Sequence, residues 1–158
     1  MNNENSITFQ FISEPADVNY GGKVHGGEVM KWIDQIAFAC ARNWAASYCV
    51  TVYVSGIQFH KPINIGDLIK MNAKVIYTGS TSMHIAVDVH ARDFETEYEK
   101  KTNCVIVFVA VDKNGKPRPV KKWTPVTDYE IKMEDYAKKL KSLQDHIEKE
   151  TAEILNEG

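Results

Sequence analysis

Between Asp17 and Ala41 the chain reads DVNYGGKVHGGEVMKWIDQIAFACA, a glycine-rich turn running straight into a helical pattern that carries one carboxylate, Asp34, among apolar neighbours. A helix opening at Gly26-Gly27 leaves its first backbone N–H groups unpaired and points the positive end of its dipole outward. Such an end suits a carbonyl oxygen that gathers negative charge as it reacts. The two glycines let a ligand come close to the main chain. A carboxylate base and an oxyanion donor are nearly all that hydrolysis of an activated acyl group requires.

At 100° per residue the wheel neighbours of Asp34 are Met30, Phe38, Ala37, Ala41 and Ala45, so the carboxylate stands at the edge of an apolar face. Two readings are open. One is a functional carboxylate. The other is an i−3 ion pair with Lys31, worth a few tenths of a kcal/mol and needing no function.

The elements that must position these groups follow from length and pattern. With 158 residues, 44% hydrophobic and 25% charged, the chain has material for one compact domain rather than two. A formal charge of −2 supplies no basic field for nucleic acid, and no apolar run approaches a membrane span. The start MNNENSITFQF lacks the charged and apolar regions of a secretory signal, so export is not expected. Cys40, Cys49 and Cys104 are odd in number and without CxxC spacing, which suits reduced thiols and a cytoplasmic location.

A helix is predicted from about Gly27 to Ala46, followed by segments of alternating character. In CVTVYVSGIQFH, Cys49 to His60, Val50, Val52 and Val54 alternate in one phase and Ile57 and Phe59 in the other, which calls for a bulge near Ser55-Gly56. Ile69 to Tyr77 and Met83 to Ala91 form two further strands, the second with His84, Asp88, His90 and Arg92 on a wet face. NCVIVFVAV, Asn103 to Val111, is apolar on both faces and therefore central. With a first strand at Ile7 to Ile12, the fold class is α+β, an antiparallel sheet wrapped around one long helix. Residues 1–126 make this domain and 127–158 a helical extension. That extension opens with the capping box Thr127-Asp128-Tyr129-Glu130 and carries a heptad seam, Met133, Tyr136, Leu140, Leu143, Ile147 and Ile154, suited to packing on a neighbouring surface or subunit.

At Asp17, Asn19, Gly22, Val24, His25, Gly26, Gly27, Met30, Asp34 and Ala37 the chain resembles the hotdog-fold acyl-CoA thioesterases of the acyl-CoA hydrolase family. The likeness continues through TVYVSGIQFHKPINIGDLI, GSTSMHIAVDV and VFVAVDKNGKPRPV, about residues 8 to 120. It implies a sheet rolled around the helix, dimers joined edge to edge, and often a hexamer of three dimers with active sites between subunits. It implies that Asp34 acts as general base or nucleophile on an acyl-CoA thioester. Asn19 would face it from the partner subunit, and the Gly27 N–H would serve as oxyanion donor. It implies no cofactor beyond the coenzyme A of the substrate and product. A non-catalytic acyl-CoA sensor of the same fold is the alternative; it would want a DNA-binding segment or a vacancy at position 34, and the chain shows neither.

Asn19 offers a donor and an acceptor for holding water, or simply forms an Asx turn before Tyr20-Gly21. His25 and Gly26 can contact substrate, although a solvent-facing loop histidine is the plainer reading of His25. For the phosphates and pantetheine arm the candidates are Gly79, Ser80, Thr81 and Ser82, aided by Lys116 or Arg118, with an ordinary hairpin turn as the alternative. Trp32, Phe38, Trp44 and Tyr53 are candidates for lining the acyl tunnel. The spacing of His84, Asp88 and His90 along one strand is too spread for a metal site, so no metal is expected.

Overall fold

The structure, a computed structural model, describes residues 4–156. Its elements are β1 (Ser6–Ile12), a 3-10 turn (Pro15–Asp17), α1 (Gly26–Ala45), β2 (Cys49–Phe59), β3 (Leu68–Thr78), β4 (Ser82–Arg92), β5 (Glu99–Ala110) and α2 (Asp128–Asn156). All pairings are antiparallel, in the order β1-β3-β4-β5-β2. The expected α+β hotdog architecture is what forms: the sheet curls round α1. No helix among the described residues is long and apolar enough to cross a membrane.

Helix α1 is held by its apolar stripe. Val29, Ile33, Ile36, Ala37, Cys40 and Ala41 are buried against the inward faces of β3, β4 and β5, represented by Met71, Val75, Ile85, Val87, Ile106 and Phe108. The helix closes at Ala46, whose left-handed backbone (φ 52°) directs its N–H to the Arg42 carbonyl. The sequence reading ran one residue late at each end, within the fraying of any helix terminus.

Strand β2 lies at an edge and breaks register twice. Thr51 pairs with Phe108 but Tyr53 with Val107, and Ser55 pairs with Val105 but Gln58 with Asn103. Each break inserts one extra residue into β2. The second is the bulge expected near Ser55-Gly56, where Gly56 takes φ 55°. The first, at Val52, has no glycine or proline to announce it. It corrects the reading that Val50, Val52 and Val54 share a face: Val50 pairs with Val109 on the outer side, Val54 with the core residue Ile106, and Val52 is the inserted residue.

The outer face of the sheet is also covered, which corrects the half-wet reading of β4. Ile76, Val105 and Ala137 bury one another there, with Tyr77, Ala86, Met133 and Leu140 packed around them. The capping box forms as expected: Glu130 N–H donates to Thr127 Oγ1 (3.1 Å), and Val126 and Thr127 N–H donate to Glu130 Oε2. Lys74 of β3 reaches the other Glu130 oxygen at 3.0 Å, pinning the start of α2 to the sheet. Only the first half of the heptad seam is used this way. Leu143, Ile147 and Ile154 are exposed.

His84 sits beneath α2 and is 1% exposed. Register aligns Tyr77, His84, Val107 and Tyr53 in one row across four strands. His84 Nε2 meets the Tyr53 hydroxyl at 3.2 Å, while Nδ1 is buried without a hydrogen-bond partner among the described residues. Burial, with Lys141 of α2 as the lesser cause, pushes its pKa down to about 4 from 6.5. The unfolded chain therefore takes up this proton first as pH falls. Stability contributed by neutral His84 is complete above pH 6.5 and lost progressively down to pH 4, on the order of 3 kcal/mol. Thermal unfolding followed from pH 7.5 to 4 should show that loss in the native chain and a visibly flatter profile in His84→Gln; parallel profiles would refute the assignment.

Candidate active site

Asp34 emerges on the exposed side of α1, and its Oδ1 accepts a hydrogen bond from Thr51 Oγ1 at 3.0 Å. Thr51 is brought there by strand pairing. Opposite it stands Phe108, fully buried, so the pair faces inward toward α1. Of the two readings of Asp34, the ion pair with Lys31 does not form among the described residues. The carboxylate is held by a neutral hydroxyl that leaves its charge uncompensated and its second oxygen open. Thr51 had no distinguishing signal in the sequence, since a threonine within CVTVYV is an ordinary strand residue.

The loop before α1 is built around Asn19. Its Oδ1 accepts the N–H groups of Gly21 (2.8 Å) and Lys23 (3.2 Å), and its main chain pairs with Lys23 and Gly22, the latter at φ 76°. The Asx-turn reading is thus realised. Its acceptor is committed to the loop, which fixes the side chain and leaves the amide N–H₂ as the group it can offer a ligand. Asn19 lines a cleft of about 390 Å³ with Gly26, Val29, Phe59, Lys61 and Thr102.

His25 precedes the first helical residue with its side chain exposed, and its carbonyl accepts the N–H groups of Glu28 and Val29. The N–H groups of Gly26 and Gly27 find no acceptor among the described residues. A Cβ on Gly27 would meet nothing within 4 Å, and one on Gly26 would come to 3.5 Å from the Phe59 ring. The main chain at Gly27 is therefore open to a ligand. Neither a positive φ nor a close contact within the described residues requires glycine at this position.

These residues fall into two groups. Gly27 and Asp34 are seven residues apart on one helix, about 10 Å. One carbonyl carbon cannot touch both within hydrogen-bonding reach. Asn19, His25, Gly26 and Gly27 cluster at the start of α1, near Phe59. Asp34 and Thr51 cluster at the other end of β2, level with the Thr78-Met83 pair that precedes the β3–β4 turn.

That turn holds Gly79, Ser80, Thr81 and Ser82. Gly79 N–H donates to the Ser82 carbonyl, the Ser80 carbonyl accepts from Val120 and the Thr81 carbonyl from Ala110, while Arg118 N–H also donates to Ala110. The turn and the 118–120 segment are thus laced together beside Asp34. A Cβ on Gly79 would come to 2.6 Å from Ser82 Oγ, so that hydroxyl would have to turn aside.

Three of the four tunnel candidates lie elsewhere. Trp32 and Trp44 are buried in the core, with the Trp44 Nε1–H donating to the Lys121 carbonyl at 2.8 Å. Tyr53 is on the outer face with His84, because the Val52 bulge reverses its side. Phe38 alone stays beside Asp34.

A sheet curled round one helix, with a carboxylate on that helix and open amides at its start, defines the hotdog-fold thioesterase class. The sequence model of the thioesterase superfamily matches residues 21–97. The protein VdlD of Helicobacter pylori is 33% identical over 139 residues, covering 87% of this chain and 79% of its own. The acyl-CoA thioester hydrolase YciA of Salmonella typhimurium is 31% identical over 121 residues, covering 74% and 91%. The chain belongs to the thioesterase superfamily, among the acyl-CoA thioester hydrolases.

Two solved structures share nearly the whole fold. The acyl-CoA hydrolase of Staphylococcus aureus, in complex with butyryl coenzyme A, coenzyme A and coenzyme A disulfide, has a TM-score of 0.89 at 28% identity over 97% of this chain and 94% of that one. An apo-hexameric acyl-CoA thioesterase has a TM-score of 0.87 at 30% identity over 90% and 92%. Alanine variants of the S. aureus enzyme have been solved at an Asn, an Asp and a Thr. The intervals between those three, 15 residues and then 17, are the intervals from Asn19 to Asp34 and from Asp34 to Thr51.

The cysteines are unsuited to nucleophilic chemistry. All three are buried and unpaired, and burial raises their pKa to about 12 for Cys40, 11 for Cys49 and 12 for Cys104. Iodoacetamide at pH 8 should leave the folded chain unmodified by mass spectrometry and label all three thiols after denaturation; rapid labelling of any one in the native state would contradict this placement.

Proposed function

We propose that the protein hydrolyses acyl-CoA thioesters to a carboxylic acid and free coenzyme A at a site shared between two protomers. The observation that carries the shared site is the 10 Å interval between Gly27 and Asp34: each protomer holds both halves of a thioester site, too far apart to serve one carbonyl. An antiparallel partner brings Asp34 of one chain to Asn19 and Gly27 of the other.

The chemistry follows from those groups. Asp34, oriented by Thr51, removes a proton from a water that the Asn19 amide steadies. The hydroxide adds to the thioester carbon, and the Gly27 N–H receives the resulting oxyanion. The intermediate collapses, the C–S bond breaks, and the thiolate leaves with the proton that Asp34 had taken. A thiolate is a good leaving group, since thiols ionise near pH 8.5. The turn Gly79–Ser82, half-buried except at the exposed Ser80, together with the exposed Arg118, is where the phosphates of coenzyme A would bind.

The partner is a second copy joined through β2. This strand is an 11-residue open edge with Val50, Val52 and Val54 exposed, a ladder left unfinished in the single chain. The hexameric state of one structural neighbour supports further assembly into a trimer of such dimers.

Thiol release from acyl-CoA should fall by about two orders of magnitude or more in Asp34→Asn with the fold intact. Thr51→Val should lose about tenfold, the worth of one hydrogen bond to a charged acceptor, ~1.5 kcal/mol. Full activity in Asp34→Asn would end the assignment. Gly27→Pro removes the oxyanion donor in the first helical turn, where proline is tolerated, and should cost about 10²–10³ in turnover. Refolding Asp34→Asn together with Gly27→Pro chains should then restore part of the activity, because a mixed dimer holds one site free of both changes. Activity no higher than the mean of the two inactive parents would refute the shared site.

A further inference from the structure

We infer that Phe38 and Tyr48 form a wall that limits the acyl group to short chains, a reading that rests on Asp34 as the reacting carboxylate. Phe38 lies four residues beyond Asp34, on the same stripe of α1 and one turn further on, ~6 Å. Its ring meets that of Tyr48 edge-on, with centroids 5.8 Å apart at 65°, and that of Phe108 at 6.4 Å. Phe108 is fully buried and is the strand partner of Thr51, which holds Asp34. The buried Phe108 ring therefore links the Thr51–Asp34 pair to the Phe38 and Tyr48 rings.

A thioester held at Asp34 must send its two ends in different directions. The arm with the phosphates has to reach water. The acyl tail gains by leaving it, and the apolar surface next to Asp34 along α1 is the Phe38 and Tyr48 ring pair. In the other direction along the stripe lies Met30, 44% exposed, toward the open start of the helix. The tail is therefore placed against Phe38.

The wall is close. An extended chain advances roughly 1.2 Å per bond, so ~6 Å accommodates about five bonds before the ring is reached. Beyond the wall the surroundings change. A wide, open and largely apolar cleft there is lined by Ile7, Ala39 and Ala46 along with Phe38 and Tyr48 themselves, room that a tail can use only where the rings give way. The nearness of the rings favours acyl groups of up to about six carbons.

The test is thiol release across a panel of saturated acyl-CoA substrates from acetyl to palmitoyl, held below their micelle-forming concentrations. It is run on the native protein, Phe38→Ala, Tyr48→Ala and Asp34→Asn. Tyr48 is 64% exposed, so its truncation leaves the fold intact even if that of Phe38 does not. The native enzyme should show kcat/KM highest at or below six carbons and at least tenfold lower for palmitoyl-CoA. Either wall variant that folds should move the optimum to longer chains, through KM, as the rings yield to the cleft behind them. A native optimum at twelve carbons or more, or unchanged profiles in both folded wall variants, would overturn the wall. Those results with Asp34→Asn inactive would leave the catalytic reading standing, whereas an active Asp34→Asn would remove the premise for both.

Discussion

One helix sets the geometry on which the site depends. The amides that can receive an oxyanion are necessarily at its start, because only the first turn has free N–H groups. The carboxylate is two turns further along, where Thr51 can reach it. A rigid helix cannot fold back to join them, so the interval is fixed by hydrogen bonding within α1 and by the apolar stripe that seats α1 in the sheet. Separation of the two halves is thus a consequence of the secondary structure itself. A protomer in isolation keeps both halves in water, and the shared site proposed above requires a second chain to bring them together.

In that proposed assembly the β2 strand would connect association to the chemistry. It is one of the two edges of the sheet, β1 being the other, and its first residues carry Thr51 to Asp34. Between Thr51 and Tyr53 the inserted Val52 reverses the facing of the strand, so that Thr51 serves the inner face and Tyr53 the outer. Without that insertion Tyr53 would keep the alternation that Thr51 begins and point toward the helix. The bulge accordingly separates the candidate catalytic face from the α2-covered face within two residues.

Much of the architecture was legible because it rests on periodicity. The long helix, the alternating strands, the Ser55-Gly56 bulge and the capping box at Thr127 each follow from residue type and spacing, and each forms in place. What escaped depends on non-local geometry. Thr51 becomes noticeable only when strand pairing brings it to Asp34, 17 positions away. His84 read as a wet-face residue because alternation says which side a residue is on but not whether a distant helix will cover that side. Trp32 and Trp44 read as tunnel candidates by size alone, and the stripe of α1 that seats them in the core leaves only Phe38 next to Asp34. Asn19 was ambiguous between turn and ligand, and the loop shows why the two are compatible: the turn consumes the oxygen and the site would use the nitrogen.

The two faces of the sheet divide their work by polarity. The outer face is closed by α2 through Ala137, Met133 and Leu140, with the Lys74-Glu130 contact fixing where the helix begins. Its one buried histidine is neutral and therefore stabilises the packing only while unprotonated. The inner face keeps its candidate carboxylate, Asp34, exposed and backed by a single hydroxyl, an arrangement that adds little to the stability of one chain. A charge buried without a partner would cost several kcal/mol, whereas Asp34, exposed in the single chain, incurs no such penalty. The packing of the protomer therefore rests on its hydrophobic core rather than on this carboxylate.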